Sequence, residues 1–212
     1  MPINLKKNIL FIHIPKCSGV YITNLFNMCA NNLLHSTNNK NMVAHDCHIY
    51  GRTLQHYTIN MIVDVINTHN IMKEKSIQKI NINNLRIFTI IRNPYDRFIS
   101  AYNQYPDRCN LKFKEMINKK SIIDFAIYLC NKINKEGYDF FKYGAFHQFQ
   151  PMIFYVKNDY GLDIEIIKMD EPNYNNIINK KCSDLGIKYN NIIKNKNNKD
   201  IDYSSYLNNK KF

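Results

Sequence analysis

Apolar positions along the chain fall into runs of two kinds. Residues 9–14 (ILFIHI) and 85–91 (LRIFTII) are short and nearly continuous, the pattern of strands covered on both faces in a parallel sheet. Residues 162–169 (LDIEIIKM) alternate enough to be a further strand. Between and after these runs the apolar residues shift to helical spacing. Val20, Leu25 and Met28, with Tyr21 and Phe26 beside them, predict a helix directly after the first strand. Phe98, Ile99 and Tyr102 predict another after the second strand. Its start is marked by Asn93 as cap, Pro94 in the first turn and Asp96 at a capping-box position.

Further helices are expected over 58–70, 112–119, 122–133 and 173–185, the last closed by Gly186, and a small helical segment over 52–57. Residues 35–41 and 73–84 read as polar connections, and 137–151 as an aromatic, irregular stretch whose rings mostly pack in the core. The result is an α/β domain over 1–186. An Asn/Lys-rich tail follows over 187–212, expected to be mostly mobile.

Composition narrows the reading. At 212 residues and 45% hydrophobic content the chain can bury one good core but not two. No run of eighteen apolar residues and no convincing signal peptide is visible, so it reads as soluble and cytoplasmic by default. Six scattered cysteines show no CxxC pair and no metal-ligand spacing, which points to free thiols. The net charge of +12 suits an anionic partner. Part of that charge follows from a chain rich in Asn, Lys, Ile and Tyr, so nucleic-acid binding is not inferred from it.

The chemistry is concentrated at the ends of the two buried strands. The first closes on Pro15, Lys16, Cys17, Ser18 and Gly19 and opens into a helix, a turn that directs backbone N–H groups at one point where an anion is stabilised. It does not fit the Walker pattern GxxxxGKS/T, which counts against a nucleotide kinase. The second stretch, RIFTIIRNPYDRFISAY over 86–102, repeats the layout with Arg92 at the strand end; on its helix Arg97 and Ser100 lie three apart, with Ser100 facing back toward that end.

Together these stretches resemble the sulfotransferases that use 3′-phosphoadenosine 5′-phosphosulfate (PAPS), especially the carbohydrate, heparan-sulfate-type or family 2-like branch. There the first loop reads like HIPKTGGTS, matching His13 to Tyr21 here, and the second like RNPYDRxxSAY, matching Arg92 to Tyr102. The resemblance implies a three-layer α/β sandwich with a central parallel sheet, the P-loop nucleotide-kinase-like sulfotransferase fold. It implies that Lys16 and the backbone of Cys17, Ser18, Gly19, Val20 and Tyr21 hold the 5′-phosphosulfate, and that Arg92 and Ser100 hold the 3′-phosphate. Lys16 would also offset charge on the leaving oxygen. His48 opens HIYGRTL, which looks like the family segment whose histidine serves as base, with His45 in reserve; His13 is read as structural.

His147 with Gln150 and Pro151 is similar to an HxxPQ-like segment beside the family's acceptor site. The implied partners are PAPS, its product PAP and a glycan hydroxyl, with no metal; many relatives are membrane-anchored in the Golgi. The first loop departs from the family at Cys17, Ser18, Val20 and Tyr21, where Thr, Gly, Thr and Ser are usual. A nucleotide kinase, or a degenerate relative that binds a glycan or nucleotide without turnover, are the competing readings.

Overall fold

The computed structural model describes residues 2–26, 28, 46–47, 52–53, 56–72, 80–104, 120–142 and 144–187. Four strands form its main sheet in the order β1 (Ile3–Asn4), β2 (Ile9–Ile12), β5 (Arg86–Ile91), β6 (Ile164–Lys168). β2, β5 and β6 run parallel, with Phe11 opposite Phe88 and Phe88 opposite Glu165, while β1 pairs antiparallel on the outer edge. The protein is therefore α/β with a mostly parallel sheet. Every residue of β2 is buried, as are Ile87 to Ile90 of β5, so the two continuous apolar runs are the inner strands. β6 lies at the edge and buries little beyond Ile167, which explains its alternating sequence.

Helices follow the parallel strands. Turn residues 13–18 lead from β2 into α1 (Gly19–Leu25), and residues 92–93 lead from β5 into α3 (Pro94–Gln104). Asn93 caps α3 by accepting from the N–H of Tyr95 at 2.9 Å. No capping box completes it, because the Asn93 N–H goes to Asp170 beyond β6 while Asp96 turns to Arg92. α2 (Ile59–Met72) starts at Thr58, whose carbonyl accepts from Ile62 N at 2.9 Å. The expected helical segment over 52–57 is corrected at its start: Arg52–Thr53 is a strand, β4, paired antiparallel with β3 (Asp46–Cys47), while residues 54–55 lie outside the described residues.

α4 (Ile122–Glu136) carries a true capping box, Ser121 and Asp124 each accepting the other's backbone N–H. Next come 3-10 turns at Asp139–Lys142 and Gly144–Phe149, and the one-turn α5 (Ile153–Val156). α6 (Tyr174–Asp184) ends on Gly186, at φ 61°, in a Schellman closure: Ile187 N donates to Cys182 O at 2.8 Å and Gly186 N to Ser183 O at 2.9 Å.

The main core forms around β2, β5, α1 and α2. A second cluster joins Ala101 of α3, Phe125 and Leu129 of α4, and Phe140, Phe141 and Phe149 of the aromatic stretch. These phenylalanines are core residues, as their density predicts. The expected loop 35–41, the helix 112–119 and the tail beyond 187 lie outside the described residues.

Candidate active site at the ends of the parallel strands

The turn after β2 is built on an unusual backbone. Lys16 and Ser18 both adopt left-handed conformations, at φ 68° and 56°, on either side of Cys17. Such a conformation costs a side-chain-bearing residue about 1–2 kcal/mol, so the surrounding structure must impose it. Several anchors do so. Cys17 is fully buried in the main core, and its N–H donates to Ile14 O at 3.3 Å. The Ser18 hydroxyl lies 3.2 Å from Met169 Sδ, just past β6. Arg97 of α3 donates from Nε to Pro15 O at 3.0 Å. Gly19 lies flat against His13: a Cβ there would sit 1.9 Å from His13 Nε2. α1 is only seven residues long, so its dipole adds little and the turn's own amides matter most.

Lys16 is half-buried and reaches across to α3, donating from Nζ to Gln104 Oε1 at 2.7 Å. Arg97, Ser100 and Gln104 follow one another at spacings of three and four residues, one face of α3, and its first and last members both bond to the turn. Half-buried Ser100 therefore shares the face that looks onto Pro15 and Lys16.

Arg92 stands at the end of β5, its backbone N–H directed at the Cys17 sulfur. Its side chain is 16% exposed and sits 3.8 Å from Asp96, yet the buried Nε has no hydrogen-bond partner. It lines a pocket of about 370 Å³ with Asn93, Pro94, Met152, Lys168 and Asp170. Burial pushes the Cys17 thiol up to about 11, against the pull of Arg97 and then Arg92. The two turns are thus neighbours, joined directly through Cys17 and Arg92 and indirectly through Met169, which meets the Ser18 hydroxyl and donates its N–H to Ile91 O at 2.9 Å.

Of the remaining expected residues, Val20 points outward at 56% exposure and Tyr21 packs half-buried against the core. His48 and His45 lie outside the described residues. His13 is buried, its ring edge-to-face with that of His56 at 4.7 Å, and the His56 ring lies 5.0 Å from that of His147. Among the described residues, no group of three or more His, Cys, Asp or Glu could hold a metal ion. Sequence reasoning gave Arg97 no role in the turn. Its place in RNPYDRFISAY, three residues before Ser100, was the available signal.

Ligand sites of open α/β sheets lie beyond the carboxyl ends of the parallel strands, where these turns are. The chain matches the sulfotransferase family model over residues 2–203 and belongs to that family. Its assignment is to sulfotransferases of the family 2-like kind, transferases that move a sulfuryl group from a sulfonate donor to an acceptor. No curated protein and no solved structure shows significant similarity to it. Among the described residues no helix is long and apolar enough to cross a membrane, so the membrane association implied by the resemblance finds no support there.

Proposed function

We propose that the protein transfers the sulfuryl group of PAPS to a hydroxyl, most readily that of a carbohydrate. The observation that carries this reading is that the Lys16 turn and the Arg92 strand end lie side by side at the carboxyl ends of the paired strands β2 and β5. A ligand with an anionic group at each end can span such a pair. The reading takes the sheet as the centre of a three-layer sandwich of the P-loop nucleotide-kinase-like type.

On this reading the amides of Cys17, Ser18, Gly19, Val20 and Tyr21 hold the 5′-phosphosulfate. Arg92, which lines the pocket at the end of β5, gives its guanidinium to the 3′-phosphate, and Ser100 donates from α3. Lys16 offsets the negative charge that builds on the bridging oxygen. His48 takes the proton from the acceptor hydroxyl, the oxygen bonds to sulfur, the bond from sulfur to the 5′-phosphate oxygen breaks, and PAP leaves. No metal enters these steps.

Calorimetry with PAP and with ATP tests the donor site, and PAP should bind more tightly. Equal or tighter ATP binding would instead favour a nucleotide kinase. Transfer of labelled sulfate from PAPS to a glycan panel tests the reaction: PAP binding with no transfer to any glycan would leave a binding protein.

A further inference from the structure

Among the described residues Arg97 is the sole permanently charged side chain that is buried, at 5% exposure. Its hydrogen bonds run to two neutral carbonyls, Pro15 O at 3.0 Å from Nε and Gln148 O at 2.8 Å from Nη2. No described carboxylate pairs with it. The nearest in sequence, Asp96, is turned to Arg92, and Asp170 is engaged by the Asn93 N–H. Desolvating a cation without a counter-ion is strongly unfavourable, and two neutral acceptors offset only part of that cost. If the side chain served only to tie the turn to residues 144–149, a neutral donor would do so without the burden.

We infer that Arg97 is an electrostatic positioning residue whose counter-ion is the anion gripped by the turn. It holds Pro15 in place and puts a fixed positive charge beneath the site of the 5′-phosphate group. This rests on the PAPS reading of the turn. Arg97 complements Lys16 from below: Lys16 is long and rotatable, whereas Arg97 is clamped at both ends and costs no reorganisation when an anion arrives. It also separates the roles of the two arginines of the motif, Arg92 for the 3′ end and Arg97 for the 5′ end.

The test compares wild type, R97K and R97M by calorimetry with PAP and with adenosine 3′-phosphate, which lacks the 5′-phosphate, alongside melting temperatures without ligand. R97M should lose roughly tenfold or more in PAP affinity, the scale of an uncancelled charge at partly screened distance. Its loss for adenosine 3′-phosphate should stay within about threefold, because the charge acts at the 5′ end. R97K keeps the charge, and its PAP affinity should stay within about threefold of wild type although it melts earlier. Unchanged PAP affinity in R97M, or equal losses for both nucleotides, would reduce Arg97 to a structural tie and overturn the inference. If R97M does not fold, R97K decides: a folded R97K protein that has lost PAP binding overturns it, and one that keeps binding upholds it. Absence of PAP binding to wild type would overturn the PAPS reading itself, a result distinct from these.

Discussion

Replacing Gly19 by alanine sets two opposed effects against each other. Gly19 is the first residue of α1 and its φ is not left-handed, so alanine brings no backbone strain. By propensity and chain entropy alone the change should stabilise by at most about 1 kcal/mol. The added Cβ, however, would lie 1.9 Å from His13 Nε2 and 2.0 Å from Cδ2. His13 has little room to give way: it is 3% exposed, its ring is 5.7 Å from that of Phe11 and 4.7 Å from that of His56, and its carbonyl lies 3.3 Å from His56 Nδ1. Overpacking of this kind costs roughly 3 kcal/mol, the upper end of its usual range. The clash wins, leaving a net loss of about 2 kcal/mol and a melting temperature lower by roughly 4–8 °C for a chain of this size. Urea and thermal unfolding of wild type, Gly19→Ala, His13→Ala and the double variant would measure it. Removing the ring should cost less in the Gly19→Ala background than in wild type, by about 1 kcal/mol or more. A neutral or stabilised Gly19→Ala protein, or additive single effects, would refute the close packing on which the turn's shape depends.

Three other changes probe the site. Arg92→Ala should weaken PAP binding by about tenfold or more, the worth of a charge-assisted hydrogen bond, and unchanged affinity in calorimetry would discredit the 3′-phosphate assignment. His48→Ala should leave PAP binding nearly intact while labelled-sulfate transfer falls by about 10² to 10⁴, and retained turnover would reject His48 as the base. For Cys17, folding raises the thiol from 9.0 to about 11 by burial, so the folded chain holds the proton more tightly than the unfolded chain. That contribution to stability is fully present below pH 9 and lost as pH rises toward 11, up to about 2–3 kcal/mol. Urea unfolding at pH 8 and 10.5 should show a smaller alkaline loss in Cys17→Ala, with the raised Cys182 thiol a background common to both; equal losses would count against a buried, neutral Cys17.

How far the sequence was legible depends on whether a signal is local. β2 and β5 were readable because inner strands of a parallel sheet are apolar on both faces and leave an unbroken run. The start of α3 was readable because Asn93 caps it within three residues. β1 and the β3–β4 pair, two residues each, are too short to carry a period, and the notion of a helix at Arg52 failed for that reason. The capping box at Asp96 failed because its acceptor role went to Asp170, 77 residues away from Asn93. Arg97 is the same problem at the site: on a helix facing solvent it would be an ordinary surface charge, and only the approach of Pro15 and Gln148 buries it. Lys16 and Arg92 were legible as candidates because their motifs are contiguous, whereas their adjacency through Cys17 depends on the pairing of β2 with β5.

The departures of this loop from the family pattern bear on what kind of site it is. Hydroxyl residues are usual at positions 17, 20 and 21, and glycine at 18. Here Cys17 turns into the core, Val20 points to solvent, and Tyr21 packs half-buried, so none of the three presents a short hydroxyl beside the turn's amides. Ser18 adopts the left-handed backbone that glycine takes without cost, and its hydroxyl is engaged by Met169. What remains is the main chain, bent twice into the left-handed region and fixed by Cys17 from within, His13 beneath Gly19, and Arg97 at Pro15. A site defined by backbone N–H groups tolerates exchange of the side chains that project away from it, but not loss of the residues that impose its curvature. Binding affinity should therefore be less sensitive to Val20 or Tyr21 than to His13, Gly19 or Arg97, although none of these last three lends a side-chain hydroxyl to the ligand.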